Sequence, residues 1–261
     1  MADEKILFRK ERSKVIENTG KEIVISNQRS FFIKDISNDF STDEGFISKK
    51  DLKKKDGSVV KTNIGKEFNL FTASFPDKIR KIGRLAQIIT PKDVGLIIAE
   101  TGINKTSKIV DAGAGSGALA CSLAHIAKSV TTYDIRDDCL KVVRDNKKFL
   151  KLNNLKVKKG DIYQKIEDKD VDVITLDVPE PWHALGNVCK ALKPGGFLVT
   201  YLPTVLQISD LVKSAGMIEG LAHIKTVELI ERQWKVKGRA VRPTTKGIWH
   251  TAFLSFFRKI S

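Results

Sequence analysis

Residues 110–120 read VDAGAGSGALA. The stretch follows the apolar, β-branched KIV at 108–110 and runs into GALACSLAHIAK at 117–128, whose apolar spacing is helical. A strand, a glycine turn and a helix are therefore expected in succession. Gly113, Gly115 and Gly117 keep side chains out of the turn, so a ligand can approach the backbone and meet the free N–H groups of the helix start. The alternation continues outward. VTTYDI (130–135), LKVKKGD (155–161), VDVITLDV (171–178) and GGFLVTYL (195–202) read as strands. Between and after them, 137–153, about Trp182–Leu192 and 204–216 read as helices. Strands alternating with helices predict an α/β fold with a mostly parallel sheet covered on both faces. The tail, TVELIERQWKVKG (226–238) and GIWHTAFLSFFRK (247–259), reads as two long strands joined by a basic loop, an antiparallel pair on the sheet edge.

The segment before this differs. EIVIS (22–26), SFFIKD (30–35) and GSVVKTN (57–63) are short β-like pieces among turn residues, with no long helix. They predict a small β domain over residues 1–75, a linker near Phe75-Pro76-Asp77, and a large domain over 76–261. With 261 residues and 41% hydrophobic content, the chain can bury a sizeable core. No apolar run approaches a membrane span and the start, MADEKILFRK, is charged, so a cytoplasmic protein without a membrane is expected. The three cysteines show no paired spacing, which argues against a disulfide frame or a metal site. The formal net charge of +15 favours polyanionic partners. Basic residues crowd the first 80 positions and return as Arg232, Lys235, Lys237, Arg239, Arg242 and Lys246.

The glycine loop fits two patterns. Gly113-x-Gly115-x-x-Ala118 matches a dinucleotide fingerprint, and Gly113-x-Gly115-x-Gly117 behind Asp111 matches the loop of S-adenosylmethionine (SAM) methyltransferases. Asp111 stands where a carboxylate would meet an ammonium group and repel a pyrophosphate. Asp134, ending the next strand, can hold two ribose hydroxyls. Asp161, after Lys159-Gly160, stands where SAM enzymes bind the adenine amino group. These points favour SAM over a nicotinamide. LDVPEPW (176–182) adds a carboxylate, Asp177, at the C-terminal end of the fourth strand, where open α/β sheets bind ligands. It can be a helix cap or a catalytic group.

Together with RLAQIITPKD (84–93), YDIRDD (133–138), LKPGG (192–196), YLPTVLQ (201–207), ERQWKVKGRAVRP (231–243) and HTAFL (250–254), these motifs resemble the archaeal tRNA (adenine-N1)-methyltransferases that modify T-loop positions 57 and 58. The resemblance covers about Arg84 to the C-terminus, and the family's usual Glu is Asp at Asp111 and Asp134. It implies a Rossmann-like class I methyltransferase with a seven-stranded, mostly parallel sheet and an antiparallel C-terminal strand pair. It also implies transfer from SAM to adenine N1, tRNA as partner, and a homotetramer. By resemblance Asp177 is catalytic. Tyr201 and Trp182 are candidate walls of a base pocket. Gln87, Asp111, Gly113, Ala114, Gly115, Ser116, Gly117, Ala118, Asp134, Ile135, Asp161, Ile162 and Asp177 are the candidate cofactor residues. Arg232, Arg239, Arg242 and His250 are the candidate RNA contacts. A SAM enzyme with a protein or corrinoid acceptor and a non-catalytic RNA-binding subunit stay open as alternatives.

Overall fold

In the computed structural model, which describes residues 4–18, 22–85, 87–247 and 249–261, the chain divides into two compact units, Met1–Lys81 and Ile82–Ser261. Ala86 of the RLAQIITPKD motif and Ile248 of the tail lie outside the described residues.

The first unit is built on a four-stranded antiparallel sheet in the order Arg29–Ile33, Lys5–Arg9, Glu67–Thr72, Val59–Lys61. Two ribbons, Arg12–Val15 with Glu22–Ser26 and Phe40–Thr42 with Gly45–Ile47, accompany it. Leu7, Ile33, Ile47, Leu52, Phe68 and Leu70 form its core. Arg9 lies over the Phe68 ring and donates twice to Glu44, at 2.6 and 2.7 Å, so its charge is neutralised where it enters the core. The expected linker at Phe75-Pro76-Asp77 is instead a helical turn, Phe75–Ile79. Pro76 suits a helix start, and the Asp77 carboxylate accepts from the Ser74 N–H at 2.9 Å.

The second unit holds a seven-stranded sheet in the order Leu155–Lys159, Ser129–Asp134, Lys108–Ala112, Val171–Leu176, Leu192–Leu202, Phe253–Lys259, Leu221–Glu228. The first five run parallel, and Phe253–Lys259 inserts antiparallel to both its neighbours. This is the Rossmann-like methyltransferase fold. Val171–Leu176 is buried along almost its whole length, as a central strand covered on both faces must be. The helix Asp137–Leu150 places Asp137 and Asp138 in its first turn and Lys147 and Lys148 in its last, each sign favoured by the backbone dipole.

The tail departs from the expected pair of long strands. The edge strand stops at Glu228, and Phe253–Lys259 begins six residues into the second predicted run. Trp234–Lys237 and Ala240–Pro243 fold back on each other as a separate hairpin, turned at Gly238, which has φ +54°. The expected helix after the fourth strand opens as a tight 3-10 turn, Pro181–Ala184, before the α-helix Leu185–Ala191.

Candidate active site

The strand order reverses between Lys108–Ala112 and Val171–Leu176, and their C-terminal ends frame a cavity of about 400 Å³. Gln87, Gly113, Gly115, Asp134, Ile135, Asp161, Ile162 and Asp177 all line it. Asp111, Ala114, Ser116 and Ala118 line a small pouch beside it, which Gln87 and Asp177 also border.

The three glycines of the loop have three different reasons to be glycine. All have positive φ, at +85°, +52° and +76°. A Cβ on Gly113 would lie 1.9 Å from the Asp177 carbonyl oxygen, so this residue lets the fourth strand's exit cross the loop. A Cβ on Gly117 would lie 2.9 Å from Val143, so this residue seats the helix Ala118–Ala124 against Asp137–Leu150. Gly117 lines neither cavity, and its close neighbour is Val143. Only Gly115 lines the cavity with no neighbour closer than 3.9 Å, leaving room for a ligand against the backbone.

Asp111 also differs from expectation. Parallel register places Thr132 on one side of it and Thr175 on the other, and both hydroxyls donate to its carboxylate, at 2.6 and 2.8 Å. The side chain is only 2% exposed, and burial pushes its carboxyl above the usual range. It braces three strands beneath the loop and borders the small pouch.

Asp134 accepts from the Gly115 N–H at 3.0 Å and the Arg136 N–H at 2.9 Å, which aims the carboxylate along the cavity wall. Asp161 accepts from the Tyr163 N–H at 2.9 Å. Each carboxylate keeps lone pairs for a further donor.

Asp177 sits where its own N–H donates to Ala112 O at 2.9 Å, at the point where the strand leaves the sheet. The loop beyond is pinned twice. The Glu180 N–H donates to the Tyr163 hydroxyl at 3.1 Å, and the Gln207 side chain donates to Pro179 O at 2.8 Å. Asp177 is exposed as a residue, and its carboxyl lies against the cavity wall. Partial desolvation there, reinforced by the nearby Asp111 carboxyl, pushes its pKa up to about 7.

The aromatic candidates separate. Trp182 is partly buried and packs against the core. Tyr201 is half-buried and lies outside both cavity linings, but it is near enough to feel the Asp177 charge. Its hydroxyl points to Asp93, 3.5 Å away. Asp93 is fully buried and also accepts from Thr90 and Thr251, with Lys92 bonded to both Asp93 and Thr251. This Thr90–Lys92–Asp93–Thr251 network went unread in the sequence because its members lie about 160 positions apart. Tyr163 and Gln207 were missed because the loop groups they hold lie 17 and 28 positions away, in other elements.

His250 is not a free cation for phosphate. Its Nδ1 lies 2.5 Å from Glu228 and its Nε2 2.9 Å from Pro203 O, and Glu228 raises its pKa by favouring the charged ring. Arg239 and Arg242 are exposed on the hairpin, and Arg232 lies between two tryptophans.

With this geometry in hand, the comparisons with known proteins become specific. Residues 80–252 match the family model described as "tRNA methyltransferase complex GCD14 subunit". The chain belongs to this family. It is 35% identical to the tRNA (adenine(57)-N(1)/adenine(58)-N(1))-methyltransferase TrmI of Methanocaldococcus jannaschii, over 91% of this chain and 94% of that one. It is 30% identical to the tRNA (adenine(58)-N(1))-methyltransferase TrmI of Thermus thermophilus, over 78% and 81% of the two chains. Among solved structures it resembles the tRNA (m1A58) methyltransferase TrmI of Aquifex aeolicus, with TM-score 0.75 and 26% identity over 98% of this chain and 97% of that one. A SAM-dependent O-methyltransferase of Thermotoga maritima superposes with TM-score 0.80 and 27% identity over 98% and 93%.

Proposed function

We propose that this chain is a tRNA (adenine-N1)-methyltransferase that transfers a methyl group from SAM to N1 of an adenine at T-loop position 58, and to its neighbour at 57. The observation that carries the reading is Asp177, a carboxylate held by a doubly pinned loop inside the cavity at the sheet's crossover point. Bound SAM would supply an electrophilic methyl group. The cavity's residues fit such a ligand: Gly115 leaves the backbone open, Asp134 suits a ribose diol, Asp161 an amino group, and Gln87 a carboxylate. As adenine N1 gains the methyl, positive charge spreads to the exocyclic N6. Asp177, ionised, accepts from N6–H and stabilises that charge where it develops. Tyr201 borders the same charge and suits one wall of the base site.

The reading extends to the setting. The enzyme acts on cytoplasmic tRNA and assembles as a homotetramer; among the described residues no helix is long and apolar enough to cross a membrane. Val205 and Leu206, 67% and 75% exposed at the start of one helix, are surfaces that subunit contacts would cover. Sedimentation at working concentration tests the assembly, and a monomer would overturn it.

The decisive experiment is methyl transfer from labelled SAM to an unmodified tRNA transcript, mapped by primer extension, which N1-methyladenine blocks. A T-loop stop that Asp177→Ala abolishes is expected. Binding of SAM with no transfer to tRNA overturns the reading and favours a protein or small-molecule acceptor. A separate expectation concerns Asp134→Ala, which removes the ribose partner and the Gly115 restraint together. SAM should bind roughly 10- to 100-fold more weakly by calorimetry, as loss of a charged acceptor costs.

A further inference from the structure

A second cavity, of about 460 Å³, opens outside the one described and is lined by Thr90, Lys92, Arg232, Lys246, Trp249 and Thr251. The Arg232 guanidinium lies 6.0 Å from the ring centre of Trp234 and 6.0 Å from that of Trp249. Both indoles are open to solvent, 56% and 49% exposed, although tryptophan is costly to leave wet. The hairpin bearing Trp234 is two-faced. Register pairs Trp234 with Pro243 and Val236 with Val241 on one side, and Lys235 with Arg242 on the other. From 232 to 246 the sequence holds six basic residues and no acidic one. Glu231 is the acidic residue at the rim, and it accepts from Gln233 at 3.3 Å.

We propose that Trp234, Arg232 and Trp249 form a stacking platform for an unpaired RNA nucleotide next to the one being modified, with Lys246 beside it for the adjoining phosphate and Lys235, Lys237 and Arg242, on the hairpin's other face, for phosphates further along the strand. Flat, exposed π-faces interleaved with a guanidinium receive any base, and cations on the opposite side hold the backbone. The position suits a neighbouring nucleotide. The cavity wall includes Thr90, Lys92 and Thr251, the residues that hold Asp93, and Asp93 in turn faces the Tyr201 hydroxyl, which also feels the Asp177 charge. Lys92 is already bonded to Asp93 and Thr251, so Arg232 and Lys246 supply the cavity's available charge. This deepens the RNA reading above and rests on it.

The chain has three tryptophans, and Trp182 packs against the core, so contact quenching by an added base acts chiefly on the exposed Trp234 and Trp249. Titrating the full-length protein with a ten-nucleotide oligoadenylate should quench that fluorescence saturably. Heparin, a polyanion without bases, should leave it nearly unchanged. Trp249→Leu should weaken binding of tRNA roughly 10- to 100-fold without altering its salt dependence or SAM binding, and Trp249→Phe should restore most of it. Lys235→Ala and Lys237→Ala should each flatten the salt dependence by about one phosphate contact. Equal quenching by heparin, or unchanged tRNA affinity in both Trp234→Leu and Trp249→Leu, would overturn the platform. So would a loss of assembly in Trp249→Leu by sedimentation, which would assign the apolar face to a second copy of the chain. Quenching by oligoadenylate requires no methyl transfer, so the platform can survive or fail independently of the proposed reaction.

Discussion

Asp177→Ala is expected to lower methyl transfer to tRNA by roughly 100- to 1,000-fold, the usual cost of deleting a group aimed at charge developing in a transition state. SAM affinity should change far less, because Gly115, Asp134 and Asp161 remain in place. The wild-type pH profile should identify the same group. With a pKa of about 7, Asp177 is largely protonated at pH 6 and ionised at pH 8. Since the ionised form accepts from N6–H, kcat/KM should rise about tenfold per pH unit below 7 and level off above it. A flat profile between pH 5.5 and 8.5 would remove Asp177 from the chemistry. Stability should move the opposite way. The folded state raises this carboxyl above its ordinary 3.8, so it favours the proton. The site is therefore unstrained below about pH 4 and progressively destabilised as pH rises through 7. The full displacement corresponds to about 4 kcal/mol, but solvent at the cavity mouth screens the charge and leaves on the order of 1 kcal/mol. Asp177→Asn should thus raise Tm by ~2–4 °C at pH 8 and leave it unchanged at pH 4. A Tm gain of the same size at both values would trace the effect to packing instead of charge.

Gly113→Ala is expected to destabilise the second unit by ~3 kcal/mol or more. Two costs combine: a left-handed φ of +85°, and a Cβ placed 1.9 Å from the Asp177 carbonyl oxygen. The oxygen belongs to backbone, so no side chain can rotate away. Relief requires moving the loop that carries the Asp177 carboxylate, and activity should fall with stability. Gly115→Ala is the control. Its φ of +52° is within reach of alanine at modest cost, and its Cβ meets nothing closer than 3.9 Å. That variant should fold nearly normally, by urea titration, while losing SAM affinity. Equal destabilisation by the two substitutions would show that conformational strain alone, without the Asp177 contact, governs the loop.

The alternation of apolar strands and amphipathic helices from Ser107 to Gly216 was legible because each element's period is a local property. So were the glycine turn and the carboxylates at the strand ends, since the exit of a parallel strand faces the ligand side wherever the sheet reverses. The tail was misread for a local reason too. TVELIERQWKVKG has strand-like residues throughout, and nothing local says that pairing with Phe253–Lys259 ends at Glu228. Asp111 reads as a ligand group by spacing; register alone reveals Thr132 and Thr175 on either side of it.

The sequence by itself determined the fold class, the site's position at the strand ends and the chemical type of its groups, because periodicity and spacing are written along one dimension. The tertiary structure decided which glycine leaves room along the cavity wall, which carboxylate is occupied by its neighbours, and which tryptophan packs against the core. Those outcomes depend on contacts between residues dozens of positions apart, such as Gly113 with Asp177 and Asp93 with Thr251.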